Sequence, residues 1–558
     1  MFQIHEPPVV HRRTLIDRFT VAKLKEHVPS WLLAVIVQLE SRHGLCLALL
    51  GVAYWPLALA MAHSHRLYSD ELYTYWIAKQ PTLHRMVEVS RQIDLHPPLH
   101  FLAERASLSL PLPRWLGARL PSLIAGQITL FALFSVGARL RSRMTGLTAA
   151  AVFAFTPGLD YSWSNRPYAL WLATLALTLW AWQGYHCERT GRKQAFYLLA
   201  LGVAGTCMTL DYIFGLICLL PFFLAEAVLL WRNRRPTWRL YLALCVPAVA
   251  GFTYITQIRS FATNSFAPSY LPSWGSGFEV YGDLVARAGA VLLLCLLIAP
   301  LLPVKGKANS ESRFSGSMLL VSFCLALLPA LLLALVAVHH TQWFLRYGAC
   351  GSIGIAMLGA IAVERWSANA RLTGLLLTVA MLFTSLVRMK TDSFDIWGYW
   401  RAEQAMGVIP KRIENLDPST PIVIASATDF TELNDREPAR VVGHLYYLTD
   451  RRAAQRYSGQ TIFEDEKTTA QLLSLPAHVE PLSGFLASHH AFYLVGSYTS
   501  PEEWVFRNLM DQGAKITYQG KFLSTVQAED LYSVEIEPVP AYIAARPASL
   551  PGQDPPAR

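Results

Sequence analysis

Long apolar runs separated by short polar segments fill the first part of the chain up to about position 390, and the pattern changes after that point. Runs of roughly 17 to 22 residues, enough to cross a hydrocarbon core of about 30 Å as helix, recur near 44–62, 117–138, 145–160, 167–185, 195–211, 213–231, 238–256, 286–302, 317–338, 347–363 and 372–388. The pattern therefore predicts an α-helical polytopic membrane protein with about eleven transmembrane helices. A further run, 98–112, is broken by Glu104 and Arg105 after Pro97-Pro98 and is expected to lie along the interface instead.

After Arg388 the long runs give way to short ones such as Pro421-Ile422-Val423-Ile424-Ala425 and Ala491-Phe492-Tyr493-Leu494-Val495, which read as buried strands. Between them, 465–475 and 501–511 have helix-start residues and helical spacing. The expected organisation is an N-terminal segment 1–43, a transmembrane domain 44–388 with a polar loop at 63–116, a small C-terminal α/β domain 389–537, and a disordered, proline-rich tail 538–558.

Charge adds orientation. With the N-terminus inside, the basic connections fall on one side: Arg12 to Arg42, then Arg139, Arg141 and Arg143, then Arg189, Arg192 and Lys193, then Arg232 to Arg239, then Lys305, Lys307 and Arg313, then Arg365 and Arg371. That alternation follows the positive-inside rule. It also explains the net charge of +9 as a property of short cytoplasmic loops, so no nucleic-acid partner is implied. An odd number of spans then puts the C-terminal domain outside the cytoplasm. The 8 cysteines all lie in or beside the spans, which suggests neither a disulfide framework nor a zinc cluster. The long basic N-terminus argues for an uncleaved first anchor, and the absence of retention or lipid-anchor signals points to a bacterial inner membrane.

The outward side receives Asp70, Glu71, Asp94, His96, Tyr161, Asn165, Arg166, Tyr168, Asp211, Tyr212, Arg259, Asp283, His339, His340, Arg346 and Tyr347. Taken singly these have plain structural readings. Ser69-Asp70-Glu71 makes a good helix start, Pro97-Pro98 opens a helix, and an interfacial arginine can snorkel. Gathered on one rim from distant segments, they describe a polar cavity at the membrane boundary, where ionisable groups are costly and usually functional.

The order Asp70-Glu71, then Asp94-Leu95-His96-Pro97-Pro98-Leu99, then Tyr161-Ser162-Trp163-Ser164-Asn165-Arg166-Pro167-Tyr168-Ala169-Leu170, then Phe344-Leu345-Arg346-Tyr347 resembles the C-type (GT-C) integral-membrane glycosyltransferases of the protein-mannosyltransferase and aminoarabinose-transferase-like superfamily. The resemblance spans about residues 40–390. It departs at Asn165, where family members commonly have an acid, and at His100-Phe101, where they often have an aromatic pair.

The resemblance implies transfer of a sugar from a polyprenyl-phosphate donor to an acceptor lipid, glycan or protein. An acceptor hydroxyl benefits from a carboxylate base, a role assigned to Asp70, with Glu71 and Asp94 as the other acids of the catalytic set and inversion expected. His96, Arg166, Tyr168, Arg346 and Tyr347 form the substrate-binding set, the two arginines facing the lipid phosphate. Asp94 and His96 could share a divalent ion, but a pair is an incomplete ligand set, so no metal is assigned. A transporter or lipid flippase with an outward-facing polar cavity is the alternative. It is disfavoured because the carboxylates lie outside the spans and no internal repeat is evident. A receptor is a third reading, for which eleven spans would be an extravagant anchor.

Overall fold

A computed structural model describes residues 30–94, 96–188, 191–234, 236–253, 271–299, 315–367, 369–405, 416–417, 419–437, 439–475, 478–500, 503–523 and 528–536. Residues 1–29, Leu95, Arg189, Arg259, the basic residues Lys305, Lys307 and Arg313, and the tail from 538 lie outside this set. The chain divides into two compact units. One comprises 1–66, 77–262 and 271–400; the other comprises 67–76, 263–270 and 401–558.

The first unit is helical. Its elements are α1 (Ser30–Ser41), α2 (His43–Ser64), the end of α3 (Ser69–Ala78), α4 (Leu83–Ile93), α5 (Leu99–Leu108), α6 (Arg114–Leu140), α7 (Arg143–Ala154), α8 (Tyr168–Cys187), α9 (Gly191–Asp211), α10 (Leu220–Asn233), α11 (Trp238–Phe252), α12 (Ser276–Ile298), α13 (Ser315–Val338), α14 (Gly351–Trp366) and α15 (Ala370–Ala405). Each of the apolar stretches expected to span carries a helix. Among the described residues, 7 helices are long and apolar enough to cross a membrane by length and composition: His43–Ser64, Arg114–Leu140, Ile213–Asn233, Ser276–Ile298, Gly316–Val338, Leu345–Trp366 and Ala370–Thr391. Helices α7 and α11 are shorter, at 12 and 15 residues.

The interior of this unit is built from Phe134, Phe153, Trp171, Leu172, Trp182 and Phe222, all buried. The outward faces carry Val52, Leu199, Leu242 and Phe383, exposed yet apolar. Helices apolar on both faces are the expected product of a chain whose solvent is hydrocarbon. Helices α6 and α7 meet closely because each supplies a glycine: a Cβ on Gly137 would lie 2.8 Å from the Gly146 Cα and 2.8 Å from the Thr145 carbonyl oxygen.

The two ends of the helical unit are chemically distinct. At one, Glu40 accepts from the Arg143 backbone N–H at 3.2 Å and lies 3.9 Å from Arg371, while Glu364 pairs with Arg141 and accepts from the Thr145 hydroxyl at 2.9 Å. Three of the basic connections therefore meet at one end. Asp94, His96, Arg166, Tyr212 and Tyr347 belong to the site described below.

The second unit carries a 6-stranded sheet in the order β3-β2-β1-β4-β6-β5, formed by β1 (Ile422–Ile424), β2 (Leu445–Thr449), β3 (His478–Pro481), β4 (Ala491–Gly496), β5 (Lys515–Leu523) and β6 (Ala528–Glu535). Strands β3, β2, β1 and β4 run parallel, and the β5–β6 hairpin joins β4 antiparallel. Ile422 and Ile424 face a core with Phe430, Tyr447 and Val495, whereas Val423 and Ala425 face Phe485, Phe492 and Trp504. A central strand buried on both faces has to be apolar at every position, which is why 421–425 reads as one unbroken run. The helices expected at 465–475 and 501–511 are Glu466–Leu473 and Trp504–Asp511.

Candidate active site

In the helical unit, Asp94 closes one short helix and His96, Pro97 and Pro98 lead into the next. Thr82 caps α4 by accepting from the Arg85 N–H at 3.1 Å, and the helix ends where the Asp94 N–H reaches the Ser90 carbonyl at 2.9 Å. The Asp94 carboxylate then accepts from the His96 backbone N–H at 3.2 Å, an Asx turn. Pro98 occupies the N-cap of α5. The prolines open a helix and fix the loop at the same time.

Arg166 reaches Asp94 and His96 from a segment about 70 residues further along the chain. A short 3-10 helix, Pro157–Trp163, leads into the extended Ser164, and α8 begins after Pro167. The Ser122 hydroxyl donates to the Arg166 carbonyl at 3.4 Å. The guanidinium donates from Nη1 to Asp94 Oδ2 at 3.2 Å and from Nη2 to His96 Nε2 at 3.1 Å. Because arginine only donates, His96 Nε2 acts as acceptor here, which puts the imidazole proton on Nδ1. Burial alone would raise the Asp94 carboxyl, but the Arg166 guanidinium and the hydrogen bonds that Asp94 accepts from Arg166 and from the His96 backbone N–H outweigh that and hold it below the usual carboxylate range. Asp94 is thus a fixed anion that orients a guanidinium.

Aromatic rings wall this triad. The His96 ring lies 4.9 Å from Tyr212 and 6.3 Å from Tyr168, and Tyr168 also takes the Arg166 cation at 5.9 Å. From Tyr212 the contacts continue to Phe214 at 5.5 Å and from there to Tyr347 at 5.1 Å. Arg346 stacks its guanidinium 4.1 Å from the Phe344 ring centre. Of the substrate-binding residues expected from sequence, His96, Arg166 and Tyr168 thus meet directly, Tyr347 joins through two rings, and Arg346 is its chain neighbour.

Next to Arg166 in the chain, Asn165 of the polar rim leads into a buried polar chain that takes in Glu104 and His100. Asn165 Nδ2 donates to Glu104 Oε1 at 2.6 Å, and His100 Nε2 lies 3.4 Å from Asn165 Oδ1. All three residues are fully buried. Burial, followed by the Arg166 charge, pushes the His100 imidazole down to about 3, so it is neutral. In the sequence Glu104 shows as a charged break in the apolar run 98–112, while its pairing with Asn165 joins segments 61 residues apart that no local pattern connects. Asp160 is a second unforeseen acid, 2.8 Å from Arg388 and 3.4 Å from Arg287.

Asp70 and Glu71 belong to the other unit. Both lie in the first turn of α3, where the helix dipole favours acids. Glu71 is fully buried and accepts from the Tyr68 N–H at 3.3 Å, whereas Asp70 is partly accessible. Among the described residues no three His, Cys, Asp or Glu side chains are grouped to hold a metal ion.

Stacked apolar helices with a buried, charge-compensated arginine at one end, in a chain that also carries a small α/β unit, define a multi-pass membrane protein. Residues 95–256 match the family model described as dolichyl-phosphate-mannose-protein mannosyltransferase. The fold is similar to a crystal structure of ArnT from Cupriavidus metallidurans bound to undecaprenyl phosphate, with a TM-score of 0.53 and 12% identity over 91% of this chain and 98% of that one. A weaker similarity, TM-score 0.36 and 13% identity over 87% and 74%, relates it to the archaeal oligosaccharyltransferase AglB from Archaeoglobus fulgidus in complex with an inhibitory peptide and a dolichol-phosphate. No curated protein matches the sequence. One stretch of the chain is thus similar to the protein-mannosyltransferase family, and its fold is similar to that of ArnT.

Proposed function

We propose that the protein is a glycosyltransferase that moves a sugar from a polyprenyl-phosphate donor to an acceptor lipid, glycan or protein at the outer face of the cytoplasmic membrane. The observation that carries this reading is the Arg166 guanidinium, held by Asp94 and His96 against a tyrosine wall. A planar guanidinium with its orientation fixed suits a phosphate leaving group, because it can stabilise the charge that develops as the glycosidic bond breaks. The undecaprenyl phosphate bound by the ArnT of similar fold supports the same ligand chemistry.

Asp70 is the base that accepts the proton of the acceptor hydroxyl, and a single displacement would invert the anomeric carbon. Its accessibility, against the burial of Glu71, favours it over its neighbour. Asp94, already committed to Arg166, serves as a positioning group in this scheme. Arg346 and Tyr347 extend the phosphate-binding surface, and the α/β unit lies outside the cytoplasm.

The test is transfer by the purified full-length protein in lipid, using radiolabelled polyprenyl-phosphate sugars and host membrane extract. Asp70→Asn should insert normally and lose about 10²–10⁴-fold in turnover, the range expected for a general base. Full activity in that variant would remove Asp70 from the mechanism.

A further inference from the structure

The α/β unit holds on to a piece of the chain that belongs, by sequence, to the loop between α2 and α4. Residues 67–76 pack as part of this unit although they are remote in sequence from its sheet. They carry Asp70. The attachment is polar and specific: the Tyr73 hydroxyl donates to Glu466 Oε1 at 2.9 Å and lies 3.0 Å from the Thr431 hydroxyl, while the Ser69 backbone N–H donates to Glu432 Oε1 at 3.3 Å.

These contacts sit on either side of Asp70. Ser69 precedes it at the helix start and Tyr73 follows it by three residues, about one turn on the same side. Fixing the first N–H and the side chain one turn later leaves the helix little freedom to slide or to rotate about its axis. The direction in which the Asp70 side chain leaves the helix is set by both. Glu432 gains in addition from facing the positive end of the helix dipole.

The anchors themselves are rigid. Thr431 and Glu432 lie on the helix Ala427–Arg436, which buries Phe430 against the sheet. Ser426 caps that helix by accepting from the Asp429 N–H at 3.3 Å. Glu466 opens the helix Glu466–Leu473, which buries Ala470 in the same core. All three anchors are buried.

We infer that the α/β unit acts as a clamp that orients the helix bearing Asp70, with Tyr73, Glu432 and Glu466 as positioning residues for the transfer reaction. This role rests on the assignment of Asp70 as the base. It gives the sheet and the helices Ala427–Arg436 and Glu466–Leu473 a part in turnover that requires no substrate contact of their own.

The experiment is hydrogen–deuterium exchange on the full-length protein in lipid nanodiscs, run beside the transfer assay. Tyr73→Phe keeps the ring and deletes the hydroxyl; it should raise exchange in 67–76 by about tenfold, the equilibrium shift for one buried hydrogen bond. Exchange in strand 491–496 should stay unchanged and serves as the control for folding. Turnover should fall about tenfold with donor KM within about twofold, because orientation and not binding is lost. Glu466→Leu should behave as Tyr73→Phe, and Glu466→Gln, which keeps an acceptor for the hydroxyl, should retain wild-type exchange. Unchanged exchange at 67–76 in Tyr73→Phe, or a rise in donor KM with kcat intact, overturns the clamp. Retained transfer in Asp70→Asn would instead overturn the assignment of the base, and the exchange result would still report on the clamp.

Discussion

Arg166 is the residue on which the helical site turns. Its two terminal nitrogens are each committed, one to Asp94 and one to His96, and its charge is balanced by one nearly buried carboxylate. A lysine would keep the charge and lose the fork, because an ammonium cannot hold both partners in one plane. Arg166→Lys is therefore expected to insert and fold yet lose on the order of 10²-fold in kcat/KM, the scale of one oriented donor to a developing anion; steady-state kinetics with the active polyprenyl-phosphate sugar would measure it. The motif around Arg166 was legible because its residue types are unusual beside a membrane. Its partners were legible only as neighbours in sequence: that Asp94 compensates Arg166, and that Asn165 bridges His100 and Glu104, depends on segments far apart in the chain meeting in space.

At the scale of elements, two pieces of packing make firm expectations. Helices α6 and α7 touch through Gly137 and Gly146, and side chains there would meet backbone, which cannot yield. Gly146→Val should cost roughly 1–3 kcal/mol by overpacking, seen as a lower melting temperature in detergent. In the α/β unit, burial raises Glu466 to about 7 against the opposing pull of Tyr73, and raises Glu464 to about 7 as well. The unfolded chain loses these protons near 4.5 while the folded unit keeps them until about 7, so the folded state binds more protons across that window. Its stability must fall as pH rises from 4.5 to 7 and level off above, with about 3 kcal/mol at stake for Glu466. Exchange in the strands between about pH 5 and 8 should show this loss, and Glu466→Gln should remove its share, leaving that of Glu464. Strands β1 and β4 were readable as apolar runs, since a strand covered on both faces has no polar position to hide. Their order in the sheet was not, because parallel neighbours are joined by crossovers whose partners no local pattern names.

The orientation of the whole molecule is read from its charge. Basic connections at 40–42, 139–145 and 364–371 are drawn together by Glu40 and Glu364. The positive-inside rule makes that end the cytoplasmic one in the proposed topology, and on that proposal a reporter fused after residue 390 should be active only outside the cytoplasm. Activity inside would invert the topology and with it the proposed site of transfer. The membrane class, the helical stretches and the change to an α/β unit were written in the hydrophobic pattern, because hydrocarbon imposes long apolar runs and buried strands impose short ones. The tertiary structure alone decided which polar groups pair, that Asp94 is spent on Arg166, and that 67–76 belongs to the α/β unit. Those outcomes follow from side-chain geometry between distant segments, where one hydrogen bond or one glycine contact selects the partner and no periodicity along the chain records it.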